Sequence, residues 1–344
     1  MKAEPMQTRY ARQTVLKEIG QAGQQMLGGA TAVVAGLGAL GTNSANLLAR
    51  AGVGTLRLVD RDIVDWTNLQ RQSLFEEEDA AQSLPKAEAA VRYLKRVNSA
   101  IRYEPITDDI NPGNIERSVA GATVVVDGLD NFYTRALLNQ ACVKHGIPWL
   151  YGACLGTYGS AATIIPGVSA CLNCLLPDIG QATTPPLTCE TVGVLGPVAA
   201  MVAAWQSSEA LKIMVGKKDM VSPHLVHVDL WQNDFSILPM TRVAGCAVCG
   251  QHKFDLLEHG SRLATASLCG RDAVQIVPPS SSSIDFDLLR QTLGRIFTLE
   301  QNPYLLKFHA DDHDVVVFPD GRAMVFGTSD PNAALSLYGK YIGG

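Results

Sequence analysis

Residues 32–41 read Ala32-Val-Val-Ala-Gly36-Leu-Gly38-Ala-Leu-Gly41, and this stretch decides the fold. A short apolar run comes first, glycines follow at the spacing Gly-x-Gly-x-x-Gly, and an Ala- and Leu-rich helical pattern begins at Leu40. Asp60 comes about twenty residues further on, where such nucleotide-binding units place an acidic residue. The order predicts a strand, a tight glycine turn and a helix around a nucleotide, with Asp60 accepting hydrogen bonds from the ribose hydroxyls.

A second motif indicates which kind of nucleotide binds. The sequence Asn68-Leu-Gln-Arg71-Gln follows soon after Asp60 and places an amide and a fixed cation beside the pocket. A nicotinamide cofactor normally needs neither, whereas the phosphates of a triphosphate attract both. We therefore predict a site for a triphosphate. A dinucleotide-dependent oxidoreductase would use the same glycines and Asp60, and it stays as the alternative.

Apolar runs and helical patterns alternate through the first 150 residues, which predicts a Rossmann-like α/β fold with a mainly parallel sheet. The predicted strands are 33–36, 55–60, 101–107, 123–127 and 147–151, and the predicted helices are 40–51, 86–97 and 131–145. Beyond them, residues 156–166 predict a hairpin and residues 225–231 a strand, which would extend the sheet with antiparallel strands.

The composition changes at Pro278-Pro-Ser-Ser-Ser-Ser283, a polar low-complexity run. We predict a nucleotide-binding domain over residues 1–250, a linker region over 251–283 and a small α+β domain over 284–344. The last of these contains strand and helix patterns, with a hairpin turn at Pro319-Asp-Gly-Arg322, but no motif with an assignable chemistry.

Charge and hydropathy narrow the possible partners. The net charge of −5 argues against nucleic acid, and the N-terminal residues lack the apolar core of a signal peptide. The longest apolar stretch, residues 194–215, carries Gln206, Glu209 and Lys212 at helical spacing, which indicates a helix packed within protein rather than lipid. We expect a cytoplasmic protein with neither nucleic acid nor membrane as a partner.

Four of the eight cysteines form two Cys-x-x-Cys pairs, Cys171/Cys174 and Cys246/Cys249. In a chain without a secretion signal, such pairs favour a tetrahedral four-thiolate zinc site over disulfides. Closed coordination leaves no position for a substrate, so the zinc would be structural. The alternatives are reduced cysteines without a metal and a redox dithiol. Cys142 and Cys154 fall in apolar patterns of the core, and Cys269 has no assignment.

The ordered set of motifs resembles the ThiF/MoeB/HesA family, the bacterial relatives of ubiquitin-activating enzymes. The matching pieces cover about residues 9–250 and are Arg9-Tyr-Ala-Arg12-Gln, the three glycines, Asp60-Arg-Asp62, Asn68-Leu-Gln-Arg71-Gln, Pro85-Lys86, Asp130-Asn131, both cysteine pairs, and Thr188-Cys189 ahead of Gly193-Val194. Each piece alone is weak evidence, but their order along the chain is specific.

The resemblance implies that MgATP adenylates the C-terminal Gly-Gly carboxylate of a ubiquitin-like sulfur-carrier protein. Asn68, Arg71 and Lys86 would bind the phosphates, and Asp130 would hold Mg²⁺ beside them. Arg12 would reach the γ-phosphate region of the partner subunit, which makes the active unit a homodimer. Cys189 would form a covalent bond to the carrier, or would be a dispensable loop thiol if sulfur comes from another protein such as a cysteine desulfurase.

Several alternatives stay open at this point. Arg71 and Lys86 would by default be surface cations, Asp130 could serve only as the cap of the following helix, and Asp62 could be a turn residue. The fold could also be a scaffold without catalysis. Thiamin, molybdopterin and other sulfur pathways cannot be separated. The C-terminal Tyr-Ile-Gly343-Gly344 resembles the tail that this family adenylates, and we interpret that likeness as coincidence.

Overall fold

A computed structural model describes residues 6–177, 192–259, 265–267, 272–278 and 284–342. Cys189, Cys269, the Gly343-Gly344 tail and all but the first residue of the polar run 278–283 lie outside these residues. The chain divides into two compact units, Met1–Gly260 and Ser261–Gly344, and each is described by itself.

The first unit is built on an eight-stranded sheet with the order β3-β2-β1-β4-β5-β6-β7-β8. Its first five strands run parallel, and β6, β7 and β8 continue the sheet in antiparallel pairs. The strands are β1 Thr31–Ala35, β2 Thr55–Val59, β3 Arg102–Ile106, β4 Val124–Asp127, β5 Trp149–Leu155, β6 Tyr158–Ile164, β7 His224–Asp229 and β8 Asp234–Pro239. This arrangement confirms the predicted α/β sheet with an antiparallel extension.

Helices cover both faces of the parallel strands, which explains their nearly continuous apolar sequences. The α-helices in the described part of this unit are α1 Met6–Arg9, α2 Ala11–Thr14, α3 Gly20–Gly29, α4 Ala39–Ala51, α5 Glu77–Ala81, α6 Lys86–Val97, α7 Ile115–Val119, α8 Phe132–His145, α9 Leu172–Leu175, α10 Gly196–Met214 and α11 Asp255–His259. Among the described residues, no helix is both long and apolar enough to cross a bilayer.

Alternate residues of each central strand face opposite cores. Val34 of β1 packs with α4, α6 and α10 on one face, while Val33 packs with α7 and α8 on the other. Strands β2 and β3 are added on one side of β1, and β4 and β5 are added on the other side, so the connections leave a crevice at the carboxyl ends of β1 and β4. Ligands bind at such a point in open α/β sheets, and the glycine turn lies there.

The predicted hairpin over residues 156–166 is wrong. Residues 158–164 form one strand, β6, whose hairpin partner is β5. The turn lies at Gly156-Thr157, where Gly156 has a φ of +58°. A run of small residues on both sides of Gly159 suggested two short strands, although one continuous strand accommodates them because β6 pairs on both edges.

The second unit contains a six-stranded antiparallel sheet with the order β11-β12-β13-β14-β10-β9. Its elements are β9 Thr265–Ser267, β10 Ala273–Ile276, α12 Phe286–Leu293, β11 Leu299–Asn302, β12 Leu305–Ala310, β13 His313–Val317, β14 Ala323–Phe326 and α13 Pro331–Tyr341. Leu289 and Leu337 bring the two helices onto the sheet. Residues 251–283, predicted as a linker, contain α11, β9 and β10, and the predicted turn joins β13 to β14 with Gly321 at a φ of +85°.

Candidate nucleotide site

The glycine turn between β1 and α4 is packed against the carboxyl end of β4. Gly36 has a φ of +89°, and a Cβ on it would lie 2.6 Å from the carbonyl oxygen of Gly128. A Cβ on Gly41 would lie only 1.8 Å from the carbonyl oxygen of Gly36. These two glycines are therefore required by the fold itself, because no side chain fits between the backbones.

Gly38 differs from its two neighbours. It has an extended backbone (φ −76°, ψ −154°), which any residue adopts, and the nearest atom to an added Cβ is the Gly128 oxygen at 3.7 Å. Nothing within the described residues requires a glycine at this position. Gly38 is also the N-cap of α4, where a backbone without a side chain lets an anionic ligand approach the first amides of the helix.

Asp60 connects the end of β2 to the glycine turn. Its Oδ2 accepts a hydrogen bond from the Leu37 amide at 2.6 Å, and its Oδ1 accepts one from the Asp62 amide at 2.8 Å. Burial raises the pKa of Asp60, and the nearby charge of Lys86 opposes that rise. The carboxylate is thus held rigidly beside the turn, while its remaining lone pairs are suited to ribose hydroxyls.

Lys86 lies at the start of α6 and is only 4% exposed. Its Nζ is 3.0 Å from Oδ2 of Asp62. This burial excludes the interpretation of Lys86 as an ordinary surface cation. Arg61, between the two aspartates, pairs with Asp109 at 2.9 Å. Burial lowers the pKa of Arg61, but Asp109 and Asp62 outweigh it and raise the pKa.

Asn68 is buried, and its Oδ1 accepts a hydrogen bond from the Asp65 amide, so it closes the capping box of the short 3₁₀ turn Trp66–Asn68. Its amide NH₂ makes a hydrogen bond of 3.5 Å to Thr67 Oγ1. Arg71 is half-buried, and it donates to the carbonyl oxygen of Thr67 at 2.8 Å and packs beside Gly196, the first residue of α10. Both side chains therefore offer donors, and their binding of phosphate stays a prediction.

Asp130 is exposed in the loop between β4 and α8. The cap of α8 is Asn131, whose Oδ1 accepts a hydrogen bond from the Thr134 amide at 2.8 Å. The capping alternative for Asp130 is therefore wrong. Asp130 comes two residues after Gly128, which packs against the glycine turn. An exposed carboxylate at this position is suited to bind a cation.

Three buried polar residues that sequence reasoning missed fix this loop. Asp127 is fully buried, and its Oδ2 is 3.0 Å from Nε of Arg135, which also donates to the carbonyl oxygens of Leu129 and Gly152. Gln206 of α10 donates to the carbonyl oxygens of Asp127 and Leu150, both at 2.9 Å. The only sequence signal was the polar Gln206 in an apolar helix.

The two cysteine pairs meet in one cluster, and all four sulfur atoms lie within 4.8 Å of one another. The Sγ distances are 3.9 Å from Cys171 to Cys174, 3.7 Å from Cys171 to Cys246 and 3.4 Å from Cys174 to Cys249. Zn–S bonds of about 2.3 Å in a tetrahedron place sulfur atoms about 3.8 Å apart. The cluster is compatible with zinc in both donor type and spacing.

Three thiols of this cluster differ in how readily they ionise: burial raises the pKa of Cys171 and Cys174, whereas hydrogen bonds favour the thiolate form of Cys246. Burial raises the pKa of Cys246, but hydrogen bonds from the backbone amides of Cys249 and Val248 and from the side chains of Asn173 and Cys174 together outweigh burial and lower it to about 6. Asn173 and the Val243 amide donate to Cys246 and Cys174. All the described cysteines are free thiols; Cys142 is buried as predicted, whereas Cys154 is half-buried.

Arg12 is exposed in the last turn of α2, and its action across a dimer stays a prediction. Cys189 lies outside the described residues, so its environment is not described.

The comparisons with known proteins decide the family. The ThiF family model matches residues 10–248. The chain belongs to the ThiF family. This membership confirms the resemblance and removes the basis for the oxidoreductase alternative.

Relatives of the ThiF family match with high coverage. The chain is 41% identical to the Bacillus subtilis sulfur carrier protein ThiS adenylyltransferase, covering 98% of this chain and 100% of that protein. It is 36% identical to the SAMP-activating enzyme E1 of Haloferax volcanii, covering 73% of this chain and 91% of that enzyme. The crystal structure of E. coli MccB with ATP matches with a TM-score of 0.61 at 25% identity, covering 70% of this chain and 74% of MccB.

Proposed function

We propose that this chain uses MgATP to adenylate the C-terminal Gly-Gly carboxylate of a ubiquitin-like sulfur-carrier protein, which prepares the carrier for thiocarboxylate formation. The strongest support is the Bacillus relative, whose name gives ThiS as the substrate and which matches both units of this chain. A ThiS-like carrier of thiamin biosynthesis is therefore the first candidate. A molybdopterin-type carrier is the second.

The reaction joins two anions. A carboxylate oxygen of the carrier attacks the α-phosphorus of ATP, a new C–O–P link forms, and the bond to the β-phosphate oxygen breaks as pyrophosphate leaves. Because both reactants repel each other, the site must supply positive charge and hold the reacting atoms in line. Lys86, Arg71 and the amide of Asn68 are the donors that the proposal assigns to the phosphates.

The turn and its neighbours have complementary tasks in this proposal. Gly38 lets the phosphates approach the first amides of α4, and Asp60 binds the ribose. Asp130 would hold Mg²⁺, which neutralises phosphate charge when it is bound. Its exposure and its independence from the α8 cap fit that role. The buried Asp127–Arg135 pair keeps the backbone of this loop in place.

We assign zinc to the cysteine cluster, where it would join α9 to the segment that follows β8. The contact of two sequence-distant pairs with tetrahedral spacing supports this assignment. Reduced cysteine pairs that bind a metal persist in reducing compartments, which supports the cytoplasm as the proposed location.

The test of the reaction is ATP–pyrophosphate exchange measured with each candidate carrier from the same genome. Exchange should appear with one carrier and disappear when its final Gly-Gly is deleted. Exchange without any carrier, or no exchange with all of them, would contradict the proposal. A retained fold with no exchange would instead favour the scaffold alternative.

We also propose that Arg12 acts in the site of a partner subunit. Mixing Arg12→Ala and Asp130→Ala chains tests this, because a mixed dimer contains one site with both native residues. With random exchange of subunits, recovery of about a quarter of the native activity is expected, since half of the dimers are mixed. Absence of recovery after subunit exchange, shown by native mass spectrometry, would count against a shared site.

The sulfur donor and Cys189 remain separate proposals. A covalent bond between Cys189 and the carrier predicts that Cys189→Ser keeps exchange but loses the bond, visible by mass spectrometry of the intact complex. If the variant still supports thiocarboxylate formation when a cysteine desulfurase is supplied, sulfur comes from that protein and the thiol is dispensable.

A further inference from the structure

Lys86 occupies a position that protein stability alone does not explain. It is a buried cation at the first position of α6, where the helix dipole favours negative charge. Burial of its ammonium carries a further cost. Since both effects are unfavourable, some other group must hold this side chain in its place.

Asp62 is that group. Its carboxylate contacts the ammonium at 3.0 Å, and its carbonyl oxygen accepts a hydrogen bond from the Lys86 amide at 2.8 Å. The next residue, Ile63, forms a β-bridge with Pro85. Side chain and backbone of Asp62 are thus fixed to the start of α6 at the same time.

Asp62 is also fixed to the other end of the site. Its amide donates to Oδ1 of Asp60 at 2.8 Å, and Oδ2 of Asp60 accepts from Leu37 in the glycine turn. A continuous series of contacts therefore runs from the turn through Asp60 and Asp62 to Lys86. One residue sets the distance between the proposed ribose carboxylate and the proposed phosphate cation.

We propose that Asp62 is a positioning residue for adenylation: it holds the Lys86 ammonium in register with Asp60, and it acts through Lys86 rather than on the nucleotide. The inference rests on the proposed function, because it requires a triphosphate as the ligand of Lys86. It assigns a role to a residue that the sequence analysis places in a matching motif but leaves without a function.

Simple electrostatics and a positioning role make different predictions for the activity of a protein without the Asp62 carboxylate. Removal of the Asp62 carboxylate makes the site more positive, so ATP should bind equally or more tightly if charge alone matters. A misplaced ammonium instead lowers kcat, since displacements of about 1 Å in a reacting assembly cost up to about 100-fold in rate. A positioning role therefore predicts that loss of the carboxylate lowers kcat without weakening the binding of ATP.

Asp62→Asn is the test, because it removes the charge and keeps the shape. Asp109→Asn is the matched control: the side chain of Asp109 is 22% exposed against 23% for Asp62, and it lies 2.9 Å from Arg61, which is also 3.8 Å from Asp62 but, as a second cation, forms no ion pair with Lys86. Both variants are compared with Lys86→Met and with the Asp62→Asn/Lys86→Met double variant. Carrier-dependent pyrophosphate exchange gives kcat and KM for ATP, calorimetry gives the ATP dissociation constant, and thermal unfolding without nucleotide gives Tm.

We expect Asp62→Asn to lower kcat by about 10- to 100-fold while the ATP dissociation constant stays level or falls. Asp109→Asn should change neither by more than about 3-fold. In the Lys86→Met background, Asp62→Asn should have no further effect on kcat. The same kcat loss in that background, an unchanged kcat in Asp62→Asn, or an equal loss in Asp109→Asn would overturn the inference.

Two further outcomes of these experiments also have a defined meaning. If Asp62→Asn does not fold, as its Tm would show, Asp62→Glu retains the charge but moves it by one methylene, and it must show the same separation of kcat from binding. If the native protein shows no carrier-dependent exchange, the proposed function fails. Native exchange with an unaffected Asp62→Asn variant contradicts the positioning role alone.

Discussion

Gly38 and Gly41 belong to one motif, but their replacement by alanine should affect different properties. Gly41→Ala should lower the stability of the protein, and Gly38→Ala should weaken ATP binding. A Cβ at position 41 would lie 1.8 Å from the Gly36 carbonyl oxygen, whereas real Cβ atoms stay at least 3.0 Å from such atoms. The backbones of the turn and of α4 would have to separate by the difference of 1.2 Å. We expect Gly41→Ala to lower the free energy of unfolding by about 3 kcal/mol.

A Cβ at position 38 meets only the Gly128 oxygen, at an ordinary distance of 3.7 Å. Its backbone angles suit alanine, so the free energy of unfolding should change by less than about 1 kcal/mol. If phosphates approach this backbone, the methyl group overlaps them at a cost of about 1–3 kcal/mol, which weakens ATP binding by about 5- to 150-fold.

Urea denaturation and calorimetric titration with ATP measure the two quantities separately. Gly38→Ala should unfold like the native protein and bind ATP poorly. Native ATP affinity in a folded Gly38→Ala protein would refute the placement of the nucleotide at this turn. A fully stable Gly41→Ala protein would refute the packing argument instead.

Three other perturbations test the buried side chains around the β4 loop and the cysteine cluster. Gln206→Leu leaves two buried carbonyl oxygens without their donor and should cost about 2–4 kcal/mol in urea denaturation, with an unchanged midpoint as the contrary result. Arg135→Met leaves the Asp127 carboxylate buried and unpaired, at a cost of about 3–5 kcal/mol. Adding Asp127→Asn should restore part of that stability, and a double variant no better than the single one would argue against the ion pair. Purified protein should contain about one zinc ion per chain by elemental analysis. Cys174→Ser should lose it and unfold at a lower temperature, whereas Cys142→Ser should retain it.

Local sequence was enough to predict the glycine turn and the meeting of the four cysteines. The glycine spacing restricts the backbone within ten residues, and thiolate pairs have few chemical uses in a chain of this kind. Both predictions depend on residue types whose geometry or chemistry leaves little choice. Asp60 could be placed for the same reason, since a strand end fixes its distance from the turn.

The buried network beneath Asp130 could not be predicted in the same way. Gln206 is 79 residues from Asp127 and 56 from Leu150, and only the packing of α10 across the sheet brings them together. Asp127 itself resembles any acid at a strand end until Arg135 is seen beside it. The hairpin error has a related cause, because pairing between β5 and β6 depends on tertiary neighbours rather than on the small residues alone.

Metal binding by the cysteine cluster would make the stability of the protein depend on the supply of zinc in the cell. About 70 residues separate Cys174 from Cys246, and they include α10 with Gln206, and the strands β7 and β8. A metal bound by both pairs closes this stretch into a loop, which removes about 4 kcal/mol of chain entropy from the unfolded state by the cross-link model. The stretch that contains α10, whose Gln206 binds the end of β4, would then lose stability when metal is not supplied. Scarcity of zinc would reduce the amount of folded enzyme, and so the output of its pathway, without any change in the site where ATP reacts.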